Sequence, residues 1–164
     1  MTGGIPGACG RLAARLAGPP GEGVGLLAAR AGLAVVFWRS GRTKVVEGTW
    51  LQVSENARFL FAEEYAGVPL PAGLAATLAT WAEFFLPLLL VAGCLTRLSA
   101  AGLLAMTATI QVFVYPDAWP THLLWSALAL LLLSRGGGMV SLDALAGSMK
   151  SWRPRVRGAP GNGR

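Results

Sequence analysis

The chain is 164 residues long, 54% hydrophobic and only 13% charged, with a mean hydropathy of +0.53. Soluble domains average about 25% charged residues, so this composition excludes a water-surrounded globule and points to one small membrane bundle. The net charge is +6 and 12 of the 14 basic residues are arginine, but they lie between and beyond apolar runs. That placement argues against nucleic acid and for anionic lipid at the membrane surface.

Residues 1–21 are rich in Gly, Ala and Pro and contain no continuous apolar run, so they read as a disordered cytoplasmic tail rather than a cleavable signal. Pro19-Pro20 bars a helix through that point. The first span is expected over Gly23–Ser40, with Arg30 inside it and Ala28, Ala31 and Gly32 favouring close helix packing. Trp38 and Arg39 mark its exit, an aromatic and a cation at interface depth. The connection from Gly41 to Gly73 holds Trp50, Val53, Ala57, Leu60 and Phe61 at roughly helical spacing, an amphipathic helix in the interface plane.

The second span, Leu74–Leu95, has Pro87 inside it and carries one ionised side chain, Glu83. A third span over Ser99–Tyr115 contains Gln111. After the aromatic and proline-rich YPDAWP (Tyr115–Pro120), a fourth runs over His122–Leu133. Trp119 and Trp125 bracket its outer end, and with Trp38 and Trp50 they read as interface anchors. A Ser-capped helix follows over Ser141–Ser148, and residues 149–164 form a basic disordered tail. The expected fold is therefore all-α: a polytopic membrane four-helix bundle over residues 22–148, with an additional interfacial amphipathic helix after the first span. Nine basic residues fall on the side of the termini and four on the other, so the positive-inside rule places both termini in the cytoplasm.

Several residues together resemble the DoxX family of small four-helix bacterial membrane proteins. An arginine lies in the first helix (Arg30), followed by GRTK (Gly41–Lys44) and Trp50. Glu83 stands in the second helix, then GCLTR (Gly93–Arg97). His122 opens the fourth helix, and GGGMVSLD (Gly136–Asp143) closes the bundle. The resemblance implies a bacterial inner-membrane protein and a link to quinol oxidase and thiosulfate:quinone chemistry. Other relatives partner soluble redox enzymes in thiol and oxidative-stress complexes, and more distant ones act as membrane chaperones or cargo receptors. The implied function is a membrane component of a redox or quinone-linked assembly, not catalytic alone. A non-enzymatic scaffold or chaperone is the alternative. Quinone is the one ligand implied, and partners are the bilayer, redox proteins and further copies of the chain.

Within that frame the polar residues are weighed one by one. A charge at mid-bilayer costs on the order of 2.5–3.5 kcal/mol by insertion scales, so Glu83 should be paired, protonated or facing water. Counting ~1.5 Å per residue puts Arg30 about 10 Å and Glu83 about 18 Å above the cytoplasmic side. An arginine side chain spans that gap, which makes Arg30 the expected counter-ion. Gln111 lies at Glu83's depth and reads as an interhelical hydrogen-bonding clasp. His122 suits either an interfacial helix start or a proton relay. Arg30, Glu83, Gln111 and His122 thus form the candidate buried polar site. Arg42 and Lys44 read as cations at the C-terminus of the first helix. Cys9 and Cys94 read as unrelated thiols. No metal set is visible with one histidine and two distant cysteines.

Overall fold

The computed structural model describes residues 18–151, with side chains to 147, and the isolated Gly10. The expectations for the two tails and for Cys9 lie outside these residues. Over residues 18–151 seven helical segments follow in order: α1 (Pro19–Thr43), α2 (Glu55–Glu63), α3 (Ala72–Ala92), α4 (Thr96–Phe113), a 3-10 turn (Pro116–Ala118), α5 (Trp119–Arg135) and α6 (Leu142–Ser151). Among the described residues there is no strand, only an isolated bridge between Val45 and Val53.

Pro19 and Pro20 begin α1 rather than stop it. At the first helical positions a proline's missing N–H is one the helix leaves unbonded anyway, and its fixed φ suits the start. The helix therefore begins about one turn earlier than the expected Gly23. It buries Leu26, Arg30, Leu33, Phe37 and Gly41, one stripe at helical spacing. Ala28, Ala31 and Gly32, expected to pack closely, are exposed, and a Cβ added at Gly32 meets nothing within 4 Å.

α1 packs chiefly on α3 and α4 on α5, while lighter contacts between α3 and α4 and between α1 and α5 close a ring of four helices. Leu33, Leu90, Leu103 and Leu132 meet in its fully buried core, with Phe37 beside them. α2 is shorter than the amphipathic pattern suggested, because the Ser54 hydroxyl accepts from Ala57 N at 3.1 Å and fixes the start there. Its buried residues, Ala57 and Phe61, face α3. The Ser141 hydroxyl accepts from Ala144 N at 3.1 Å, capping α6 as the sequence suggests.

Among the described residues, two helices are long and apolar enough to cross a membrane: α1, at a mean hydropathy of 1.3, and α3, at 1.8. In each, 39% of the apolar window is buried, so most of it faces outward. Exposed Leu78, Trp81, Phe85 and Leu88 on α3 illustrate the point. An outward face of this kind is what a helix shows to lipid rather than to water.

Candidate functional site

The four residues expected to converge fall into three separate groups. The Arg30–Glu83 ion pair is not formed. Arg30 is 1% exposed and turns all its described contacts to backbone carbonyls. Its Nε donates to Leu90 O at 2.7 Å, Nη1 to Gly137 O at 3.0 Å and Val140 O at 2.6 Å, and Nη2 to Val91 O. Leu90 and Val91 lie in the last turn of α3, where carbonyls lack the usual i+4 partners, and the backbone supplies Leu90 O only with Gly93 N, at 3.1 Å. The guanidinium thus caps α3 from a neighbouring helix, where a cation also suits the dipole.

Depth counting failed because the two helices do not share a baseline. Gly41 lies against Glu83, and Gly93 lies against the Arg30 guanidinium. From Glu83 to Gly93 is ten residues, ~15 Å along the helix, roughly twice the separation expected from sequence. The first turns of α1 extend past the end of α3 and pack on the 136–140 loop instead, where Leu26 touches Gly138 and Gly23 approaches Met139.

Glu83 has a different partner. Lys44 Nζ donates to its Oε2 at 2.7 Å, and the side chains are 6% and 3% exposed. The same ammonium donates to Ser40 Oγ at 2.8 Å and Ser40 O at 3.3 Å. Lys44 is the C-cap of α1, as its position in GRTK suggests, and its carbonyl accepts from Ser54 N at 2.9 Å. What the sequence did not show is that its side chain turns back under the helix end. The close approach depends on Gly41, where a Cβ would stand 3.0 Å from Glu83 Cβ and 3.1 Å from Glu83 O. Pro87 contributes from the other side: it lacks the N–H that would otherwise bond Glu83 O four residues back.

The Glu83–Ser40 corner forms the polar end of a cavity of about 270 Å³ between α3, α4 and the end of α2. Phe61, Leu78, Ala79 and Met106 wall it with apolar surface, and Tyr65 also lines it. Burial pushes the Tyr65 phenol well above its usual range, with Tyr115, Glu83 and Glu64 adding to the effect. It stays protonated at physiological pH. Tyr115 holds this wall in place by donating to Glu64 Oε2 at 2.8 Å, and that bond raises its own pKa.

Gln111 and His122 do meet, but not beside Glu83. His122 Nδ1 lies 2.7 Å from Gln111 Oε1, and Gln111 Nε2 donates to Pro116 O at 2.7 Å. Together they clasp the α4–α5 turn. Trp125 sits between the rings of Phe37 and His122, at 5.6 and 5.2 Å, so it faces the core and not the interface. Trp38 stacks on Phe84 at 5.1 Å, whereas Trp50 and Trp119 are exposed. Cys94 is a half-buried free thiol.

Asp143, unnoticed as a functional group in the sequence, ties the GCLTR and GGGMVSLD segments together. Its carboxylate accepts from Leu95 N and Thr96 N, each at 2.8 Å, capping α4, while its own N–H bonds Gly93 O at 2.9 Å. Burial pushes this carboxyl up. The Thr96 and Leu95 donors and the nearby Arg30 charge outweigh that, and hold it below its usual value.

The described residues are helical, with two apolar helices of bilayer length and a buried ion pair beside an apolar cavity, features in keeping with the class of helical membrane proteins. The DoxX family model matches residues 25–116, which includes Arg30, the GRTK segment, Glu83 and GCLTR. The chain belongs to the DoxX family. An uncharacterised protein of Haemophilus influenzae is 30% identical over 148 residues, covering 80% of this chain and 91% of its own. No solved structure matches.

Proposed function

We propose that this DoxX protein crosses the bacterial inner membrane with α1, α3, α4 and α5, both termini cytoplasmic. In this reading it presents a quinol-binding pocket to a redox partner. The observation that carries the proposal is the cavity at Glu83: an apolar slot whose inner end holds a buried carboxylate fixed by an ammonium. Ligand pockets commonly pair apolar walls with a few fixed polar groups. An ionised Glu83 only accepts hydrogen bonds, so it suits a quinol hydroxyl, while the Ser40 hydroxyl already bonds Glu83 and the Tyr65 phenol bonds Tyr115 at the cavity wall. Removing electrons from a quinol requires an acceptor. In this reading a partner protein supplies it, and the chain binds and orients the quinol.

The test is photolabelling of the purified full chain in detergent with an azido-quinone analogue, mapped by mass spectrometry. Labels are expected in 75–83 and 105–114. They should disappear in Met106→Trp, which fills the cavity and leaves Lys44, Glu83 and Ser40 in place. Labelling elsewhere, or none, would remove the quinol reading and leave a membrane scaffold.

A further inference from the structure

At the end of the bundle remote from Glu83, a second and larger cavity of about 680 Å³ lies between the α3–α4 turn, the end of α5 and the 136–141 loop. Its charged lining consists of Arg97, Arg135 and Asp143. The aspartate is already committed, since both carboxylate oxygens cap α4. The two arginines are anchored and not consumed. Arg97 donates through Nη2 to Ser134 O at 3.1 Å, and its Nε stands 3.8 Å from where a Gly136 Cβ would be. Arg135 is steadied by Glu22 of α1 through Nη1, at 2.7 Å. Each anchoring contact uses one nitrogen of a group with five N–H donors.

The rim of this cleft is apolar: Leu95, Leu98 and Met139 line it and are 53%, 63% and 65% exposed. Two guanidiniums beside exposed aliphatic side chains at a helix end match an amphiphile with an anionic head. Guanidinium is the side chain best suited to a phosphate, which it holds through paired N–H donors. In the sequence, Lys150 falls near the end of α6 and Arg153, Arg155 and Arg157 follow it.

We propose that this cleft binds an anionic glycerophospholipid, its phosphodiester between Arg97 and Arg135 and its acyl chains along Leu95, Leu98 and Met139. The site is independent of the quinol pocket. It has a structural consequence, because the loop behind it supplies the Gly137 and Val140 carbonyls that hold Arg30. A bound headgroup steadies the segment that fastens α1 to α3.

The experiment uses the full chain, delipidated in a zwitterionic detergent and supplied with phosphatidylglycerol, phosphatidylcholine or inorganic phosphate. Lipid retention is read by native mass spectrometry and stability by the thermal midpoint. Phosphatidylglycerol is expected to be retained and to raise the midpoint, phosphatidylcholine and inorganic phosphate to do neither. Replacing both arginines in R97Q/R135Q should weaken retention about thirtyfold, from the usual contribution of two cations at an anionic surface. R39Q/R42Q, at the other end of α1, should retain the lipid as the parent does. Should R97Q/R135Q not fold, R97K/R135K keeps the charge and loses the paired donors, and an intermediate weakening is expected. Equal retention of both lipids, an equal shift with inorganic phosphate, or an equal loss in R39Q/R42Q each overturns the proposal.

Discussion

Arg30 and Glu83 are both buried to within a few per cent, yet the protein handles the two charges in opposite ways. Among the described residues Arg30 hydrogen-bonds no carboxylate, and Asp143 acts on it only through its nearby charge. Its charge is spread over four carbonyls from α3 and the 136–140 loop, which makes it a fastening. Glu83 is neutralised by a single ammonium and borders a cavity, which leaves it next to space a ligand can fill. A buried charge whose partners are all backbone has nowhere to move. One paired to a flexible lysine beside a pocket can exchange its partner for a ligand. The proposed ligand site therefore rests on Glu83, while Arg30 acts as a fastening.

The sharpest way to break this contrast is to remove one half of the ion pair. Lys44→Met leaves a buried carboxylate uncompensated and is expected to cost about 3–5 kcal/mol, measured by unfolding in detergent. The double variant Lys44→Met/Glu83→Leu should regain most of that stability, since apolar replacement of a buried pair is often neutral, while still losing quinone labelling. Recovery of labelling together with stability would mean that the pair serves packing alone.

Next in size is Arg30→Lys, which keeps the charge but cannot reach four carbonyls in a fixed fork. A loss of about 1.5–3 kcal/mol is expected, from hydrogen bonds to a charged group. Combined with Glu83→Gln, its effect should add to within about 0.5 kcal/mol, because the two sites share no partner. A larger coupling energy would restore the ion pair expected from sequence. Gly41→Ala sharpens the other region: its Cβ would press on Glu83 from 3.0 Å, and overpacking of this kind costs about 1–3 kcal/mol. Quinone labelling should fall with it, whereas Gly32→Ala, in open space, should change neither.

The helices themselves were legible, because apolar runs, prolines and glycines mark them directly. Gly93 ends α3 with φ +69, and Ser54 and Ser141 cap as such residues do. Their relative heights were not legible, and the site depended on those heights. Nothing in the sequence says that α1 starts at Pro19 and overhangs α3, so Arg30 was placed one level and Glu83 another, on a baseline the fold does not use. Gln111 and His122 could be read as polar groups needing partners, but not as partners of each other across the α4–α5 turn. Lys44 was legible as a cation at a helix end. That its side chain would find Glu83 depends on Gly41 admitting α3, a contact between residues 42 apart in the chain. The GCLTR and GGGMVSLD segments stood out in the family resemblance, and only the fold shows why they are paired. Gly93 has no room for a Cβ, which would fall 2.5 Å from Ser141 and 2.7 Å from Arg30.

The smallest expected effect belongs to Asp143, and its sign follows from its surroundings. The carboxyl is held below its usual 3.8 in the folded chain, so the folded state binds the proton more weakly than the unfolded state does. Its contribution to stability is complete above the unfolded value and fades as pH falls through the lower, folded one. At pH 7, Asp143→Ala should cost about 0.5–2 kcal/mol, the usual range for losing an N-terminal helix cap. On acidification below pH 3.8 the parent should lose this advantage progressively, so that the thermal midpoints of parent and variant draw together as pH falls. Midpoints that stay separated by the same interval at pH 7 and pH 3 would mean that Asp143 holds the α3–α4 turn without its charge, and that Arg30 alone fastens this end of the bundle.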